Sequence, residues 1–282
     1  VAIAGDGANE QLVGLIHPVV DGGHPGEAGG VVEPRGAGEA LLACRQHVVA
    51  LEAQQAAVAP GEPAQPALFP VAHALGMRDD ARDLAVRGDV LDELAMVEAM
   101  RGCDVVLHLA GVPHASADFD AQLLQPNIVG THNIFRAAQA QGVRRVVFAS
   151  SAQAVEGYPL DMQVQESMPA RPANMYGASK AFGEGVASAF AHQHGMTAIA
   201  VRIANVAQFK KGQQHSARDI AAFISERDVV QLLARCVAAD VPPGYHVVHG
   251  VSDNRYKRLS IETTRQLVGY APQDDGFTLL GL

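Results

Sequence analysis

From about residue 84 onward the chain alternates short apolar runs with longer stretches of helical spacing. Asp104-Val-Val-Leu-His-Leu-Ala110 is an apolar run with β-branched residues, closed by Gly111, and it predicts a strand buried on both faces. Residues 127–141 place apolar side chains at Ile128, Ile134, Phe135 and Ala138 and then reach Gly142, which predicts a helix with a glycine stop. Arg145-Val-Val-Phe-Ala-Ser150 predicts a second buried strand, 179–194 a long Ala-rich helix stopped near Gly195, and 197–203 a third strand. A helix over 228–239 and a strand over 245–249 follow. Strand and helix in this rhythm predict an α/β protein, a doubly wound parallel sheet covered on both faces. In such sheets the ligand sits beyond the carboxyl ends of the strands.

Residues 1–80 are rich in Gly, Ala and Pro and poorly periodic. Leu15-Ile-His-Pro-Val-Val20 is the candidate first strand. Residues 39–43 and 47–52 read as a helix feeding a strand that ends in an acid, Glu52. Pro60, Pro63, Pro66 and Pro70 mark an exposed loop.

Composition narrows the classes. At 282 residues the chain suits one large domain, or one domain with a small appended lobe, and needs no staple to bury a core. A formal charge of −9 and the absence of Trp argue against nucleic acid as a partner. No apolar run approaches the roughly 20 residues that span a bilayer, and the first ten residues lack the basic cluster and apolar stretch of a secretory signal. Cys44, Cys103 and Cys236 are odd in number and far apart, as expected of reduced thiols in a cytoplasmic protein. The histidines form no metal pattern, and His192 and His194 fit the end of a helix.

The chemistry concentrates at Tyr176-Gly-Ala-Ser-Lys180. Four-residue spacing puts Tyr176 and Lys180 on one helix face, one turn apart. A phenol ionises near pH 10, and use as a base near neutrality requires a drop of roughly 3 units, about 4 kcal/mol. A neighbouring ammonium favours the phenolate. Ser151 ends a buried strand 25 residues earlier, where its hydroxyl can hold a substrate oxygen while Tyr176 moves the proton. His108-Leu-Ala-Gly111 ends another strand with a glycine that admits close backbone approach. Gly88-Asp-Val-Leu-Asp92 follows a strand, and Asn127-Ile-Val-Gly-Thr131 opens a helix.

This ordered set resembles the short-chain dehydrogenase/reductase superfamily, in its extended branch of sugar-nucleotide epimerases, dehydratases and related dehydrogenases. The resemblance covers about two-thirds of the chain, from Gly88 on. It implies a Rossmann-like fold, a nicotinamide cofactor and hydride transfer. On it, Ser151, Tyr176 and Lys180 are catalytic and Asn127 positions Lys180. Asp89 and Val90 lie near the adenine, Leu109, Ala110 and Gly111 lie against the cofactor, and Tyr176 and Lys180 also contact it. The tail, from Arg218-Asp-Ile-Ala to Val268-Gly-Tyr-Ala-Pro, is similar to uronate dehydrogenases, which oxidise the anomeric carbon of a free hexuronic acid. Arg218 matches the arginine that grips the substrate there, and a guanidinium suits a carboxylate through two parallel hydrogen bonds. Gln153 and Asn205 complete the implied substrate side. The chain departs from that group at Ala152-Gln153, where Asn-His is usual, and at Pro113, where Ser is usual.

The resemblance also calls for a glycine turn that holds the pyrophosphate. Gly23, Gly26 and Gly29 have its spacing, although Pro34, Gly36 and Gly38 then fall within the helix that should follow. Glu52, at the end of the second strand, would bind ribose hydroxyls and favour NAD, with NADP left open. The implied organisation is a cofactor-binding domain over 1–205, with 1–80 matching poorly, and a substrate lobe over 206–282. The implied activity is NAD-dependent hydride transfer at a carbinol carbon of a sugar or sugar acid, in a homodimer. A sugar-nucleotide epimerase or dehydratase, and an inactive NAD(P)-binding protein of the same fold, are the alternatives.

Overall fold

The computed structural model describes the backbone of residues 11–14, 48–53 and 85–282, with side chains from Gly88 onward. Its elements are β1 (Gln11–Gly14), β2 (Val48–Ala53), β3 (Ala85–Gly88), α1 (Glu93–Ala99) and β4 (Val105–His108). A wide, π-type helix (Phe119–Gly130) then runs into α2 (Thr131–Ala140), followed by β5 (Arg145–Ser151), α3 (Met175–His194), β6 (Thr197–Ile203) and β7 (Asn205–Val206). The tail supplies α4 (Ala217–Ala221), β8 (Phe223–Ile224), α5 (Glu226–Ala238), β9 (Tyr245–Gly250), α6 (Glu262–Val268) and α7 (Gly276–Leu280).

Among the described residues seven strands form one sheet, ordered β3-β1-β2-β4-β5-β6-β9. From β2 through β9 each neighbour pairs in parallel. Both faces of β4, β5 and β6 are buried, which explains their unbroken apolar runs. Val105, Leu107, Val147, Ile199 and Val201 point into one core, beneath α5 and α6. The alternating residues Val106, Val146, Phe148, Ala198 and Ala200 point into the other, beneath α1, α2 and α3. On that second face a glycine of α3 lets the helix sit close to β5. A β-carbon on Gly183 of α3 would stand 2.3 Å from the Phe148 ring.

The early strands differ from the sequence reading. The described first strand is Gln11–Gly14, and it is antiparallel to both β2 and β3. The proposed strand at 15–20 lies outside the described residues, as do Gly23, Gly26 and Gly29. A four-residue strand carries too little periodicity to be picked out of a Gly- and Ala-rich segment. Val48–Ala53 is a strand ending near Glu52, as read, but it lies directly beside β4. That is the place of the first strand in the usual doubly wound order, so Glu52 does not sit one strand further out as the ribose assignment required. The tail is not set apart from the sheet, because β9 returns to its edge beside β6. The short pair β7–β8 forms a separate two-stranded unit.

Candidate active site

The site is built where β5 ends. Ser151 closes that strand in an extended conformation, and its hydroxyl accepts from the Gln153 amide at 3.2 Å, turning the chain into the short helical turn Ala152–Val155. Facing it is the first turn of α3. Asn174 caps this helix by accepting from the Gly177 amide at 2.8 Å, so Tyr176 and Lys180 both fall on regular helix. The helix starts at Met175, four residues before the apolar spacing announces it. Gly177 obscures the start in sequence because glycine disfavours helix. Here it is required: a β-carbon at 177 would stand 2.2 Å from the Gln153 carbonyl oxygen. The backbone of α3 is pressed against the turn that follows Ser151.

Tyr176 and Lys180 are both buried. The Lys180 ammonium lies 5.8 Å from the centre of the Tyr176 ring and 5.2 Å from that of Phe148, and it donates to the Ala149 carbonyl at 2.9 Å. Among the described residues no carboxylate makes an ion pair with it. Burial lowers its pKa from 10.5 to about 8. Burial also raises the pKa of the Tyr176 phenol, and a hydrogen bond with Ser151 opposes that rise. The lysine does not by itself deliver the phenolate that the sequence argument asked of it. In the protein alone, desolvation outweighs that hydrogen bond, and Tyr176 is a protonated phenol at neutral pH.

Asn127 does not open a helix. It lies inside the π-type helix, which Asp118 caps eight residues before Pro126. Its side chain accepts from the Val112 amide at 2.7 Å and donates to the Val112 carbonyl and the Ser179 hydroxyl, each at 3.1 Å. Ser179 in turn donates to the Tyr176 carbonyl at 2.7 Å. Asn127 therefore ties the loop after β4 to the turn of α3 that carries Tyr176 and Lys180. Gly111, in that loop, has φ +140°, and a β-carbon there would meet Asn127 Oδ1 at 3.0 Å and Lys180 Nζ at 3.7 Å. A side chain at 111 would fill the space in front of the ammonium.

The other predicted positions divide. Asp89 turns back on its own loop, accepting from the Leu91 amide at 2.9 Å. Val90 is fully buried beneath Gly130 and its carbonyl accepts from Asn133, so its side chain belongs to the core. Ala110 is buried in the same core, while Leu109 is half-buried against the opposite one. Gln153 accepts from Asn174 at 2.7 Å and so braces the helix cap. Asn205 donates to Asp219 at 3.1 Å. The Arg218 guanidinium is already engaged: Nε and Nη2 reach the two carboxylate oxygens of Glu156 at 2.8 and 2.5 Å, and Nη1 reaches Asp219 at 3.2 Å. Burial alone would lower the Arg218 pKa, but these two acids outweigh it and raise it.

Two further groups escaped the sequence reading, and a third, His108, was read only as part of a strand-end motif. Glu184 and Arg202 form a buried bidentate pair, with both contacts at 2.9 Å, and Ser150 donates to the same carboxylate at 2.6 Å. Glu184 stands one turn beyond Lys180, so extending the Tyr176–Lys180 spacing by four would have found it. Glu156 carried no motif. His108, at the end of β4, is fully buried, with Nε2 at 3.2 Å from Thr131 Oγ1 and Nδ1 without a partner. Burial, then the Lys180 charge, lowers its pKa to about 3, so it is neutral at ordinary pH.

A separate cavity of about 520 Å³ at the β9 edge, lined by Met168, Glu184, Arg202 and Tyr245 among others, includes none of Ser151, Tyr176 and Lys180. Cys103 and Cys236 are buried, and burial pushes their thiols up to about 11 and about 12. Among the described residues no cluster of three or more His, Cys, Asp or Glu side chains suits a metal, and no helix is long and apolar enough to cross a membrane.

The model of the NAD dependent epimerase/dehydratase family matches residues 39–233. The NAD-dependent glucose-6-phosphate dehydrogenase of Haloferax volcanii is 37% identical over 207 residues, covering 68% of this chain and 78% of that protein. The L-arabinose 1-dehydrogenase (NAD(P)(+)) of the same organism is 34% identical over 211 residues, covering 68% and 83%. A solved mutant of uronate dehydrogenase from Agrobacterium tumefaciens, complexed with NAD, superposes with a TM-score of 0.61 at 32% identity, over 68% of this chain and 70% of that one.

Proposed function

The chain belongs to the NAD dependent epimerase/dehydratase family, and from that membership and the site geometry we propose that it is an NAD-dependent dehydrogenase that oxidises a carbinol carbon of a sugar or sugar acid. The carrying observation is the convergence of Ser151, Tyr176 and a lysine that no carboxylate pairs among the described residues, at the carboxyl end of β5.

The residues fit the cofactor. Gly111 leaves open a space that a β-carbon would fill, in front of an ammonium that needs oxygen acceptors. Lys180 and Tyr176 would hold the nicotinamide ribose hydroxyls, and the backbone at Gly111 would approach closely. When bound, NAD supplies the hydride acceptor and a positive charge beside the phenol. The chain's own part is proton transfer and orientation. Ser151 Oγ holds the substrate hydroxyl, Tyr176 Oη takes its proton as the C–H hydrogen leaves with the electron pair, and Lys180 favours the phenolate. Asn127 and Ser179 keep the helix turn and the Gly111 loop in register.

Residues 206–282, with Asn205, form the substrate side. The buried thiols suit a cytoplasmic enzyme, and Val129 and Phe182, exposed on the π-type helix and on α3, suit a homodimer across those helices. Light scattering that returns only monomer would reject that assembly. For the chemistry, Tyr176→Phe should lower kcat for NADH formation by roughly 10²–10⁴-fold with an unchanged circular dichroism spectrum. Full activity in that variant would reject the mechanism.

A further inference from the structure

A guanidinium recognises a carboxylate by offering one edge, two parallel N–H bonds to two oxygens. In this chain that edge of Arg218 is taken by the protein itself. Nε and Nη2 grip Glu156 at 2.8 and 2.5 Å, and the remaining nitrogen contacts Asp219. Both side chains of the Arg218–Glu156 pair are only 16% exposed. Asp219 is fixed in turn by Ser216 at 2.7 Å and by Asn205 at 3.1 Å. Arg218 and its two carboxylates sum to −1, and Arg258 adds a positive charge within reach of Glu156.

The cluster lies on the carboxyl rim that carries the catalytic residues. Glu156 follows the turn that begins at Ser151. Asn205 lies two residues past Ile203, which pairs with Ser151 in the sheet. The other guanidinium of this region, Arg258, is committed to the carbonyls of Tyr158, Pro159 and Met162 at 2.8, 2.6 and 2.5 Å. A carboxylate arriving here would have to expel Glu156 from a half-buried fork whose two arms are already filled. Sugar hydroxyls face no such obstacle, because carboxylate oxygens retain lone pairs that accept from O–H.

We infer that Glu156 stands in for a substrate carboxylate, and that the sugar this chain oxidises is a neutral aldose and not a uronate. Glu156 is thus a specificity-determining residue. The inference rests on the dehydrogenase reading of the rim, and the test separates the two.

Aldose and uronate pairs that differ only at carbon six, D-galactose with D-galacturonate and D-glucose with D-glucuronate, are assayed with NAD by NADH formation. The protein should favour each aldose over its uronate by about 10-fold or more in kcat/KM. Glu156→Gly, which frees the fork, should move that ratio toward the uronate by about 100-fold. Glu156→Gln, which keeps the bulk and removes the charge, should move it part of the way. Calorimetry without turnover should detect galacturonate binding to Glu156→Gly that the parent protein lacks. A parent protein that prefers the uronate or a phosphorylated aldose, or a ratio unmoved in both variants, overturns the inference and leaves the dehydrogenase reading standing. NADH formation from no sugar at all removes the reading itself.

Discussion

Two cations stand on the same rim of the sheet in opposite circumstances. Lys180 is buried among neutral groups, holds one backbone carbonyl, and has its pKa depressed to about 8. Arg218 is locked between two carboxylates and has its pKa raised. The charge left uncompensated marks where an electron-rich partner is still owed, which on the proposed function is the ribose oxygens and the phenolate. The charge already neutralised marks where a neutral ligand is welcome. A basic residue in a sequence motif is therefore only half of a recognition argument, and its internal partners are the other half.

The sharpest way to break this contrast is to remove the uncompensated charge. Lys180→Met should lower kcat by roughly 10³-fold, measured by NADH formation. The same change should raise the thermal midpoint at pH 7. The folded-state pKa of about 8 lies below the ordinary 10.5, so the cost of burying the ammonium, about 3 kcal/mol, is fully present below pH 8 and fades as pH rises toward 10.5. A lower midpoint in this variant would mean that Lys180 is structurally paired after all.

A compensated pair should behave in the opposite sense. Arg202→Met leaves Glu184 buried without its partner and should destabilise the fold by about 3–5 kcal/mol in urea titration. The double variant Glu184→Leu, Arg202→Met should recover most of the loss. If the single change is harmless, Glu184 is solvated and the Ser150–Glu184–Arg202 brace does not hold β5 to α3.

Smaller effects follow from titration. If the Lys180 ammonium is needed for catalysis, kcat/KM of the free enzyme should fall as pH rises through about 8. Lys180→Arg, whatever its residual rate, should lose that descending limb. A limb that stays in place belongs to another group. On the acid side, His108 and His249 are buried neutral, each with its pKa lowered to about 3. The unfolded chain binds their protons first, so stability should decline as pH falls below 6.5, by about 2 kcal/mol per histidine down to pH 5. His108→Gln should flatten that slope in a thermal-midpoint series.

The strands of the sheet from β4 onward were legible because burial on both faces writes continuous apolar runs, and the Tyr176–Lys180 spacing was legible because helix geometry is local. What escaped was set by partners distant in sequence. The start of α3 depends on Asn174 and on the contact of Gly177 with Gln153. The placement of Asn127 depends on a wide helical turn that apolar spacing does not encode, and the engagement of Arg218 depends on Glu156, 62 residues away. Val90 read as a cofactor contact because it sits within a motif, while its side chain fills the space under Gly130. In the first 80 residues the sequence itself is poorly periodic, and Gln11–Gly14 pairs antiparallel to both of its neighbours.

The absence of a side chain at Gly177 works as a gauge block. The gap between serine and phenol is set by backbone resting on backbone, a stop that does not loosen with rotamer motion or titrate with pH. Any methyl added there acts as a wedge, prying the helix mouth from the strand end and separating the two hydroxyls in one movement. Libraries that recruit this scaffold for new sugars can vary the rim widely, so long as position 177 stays bare.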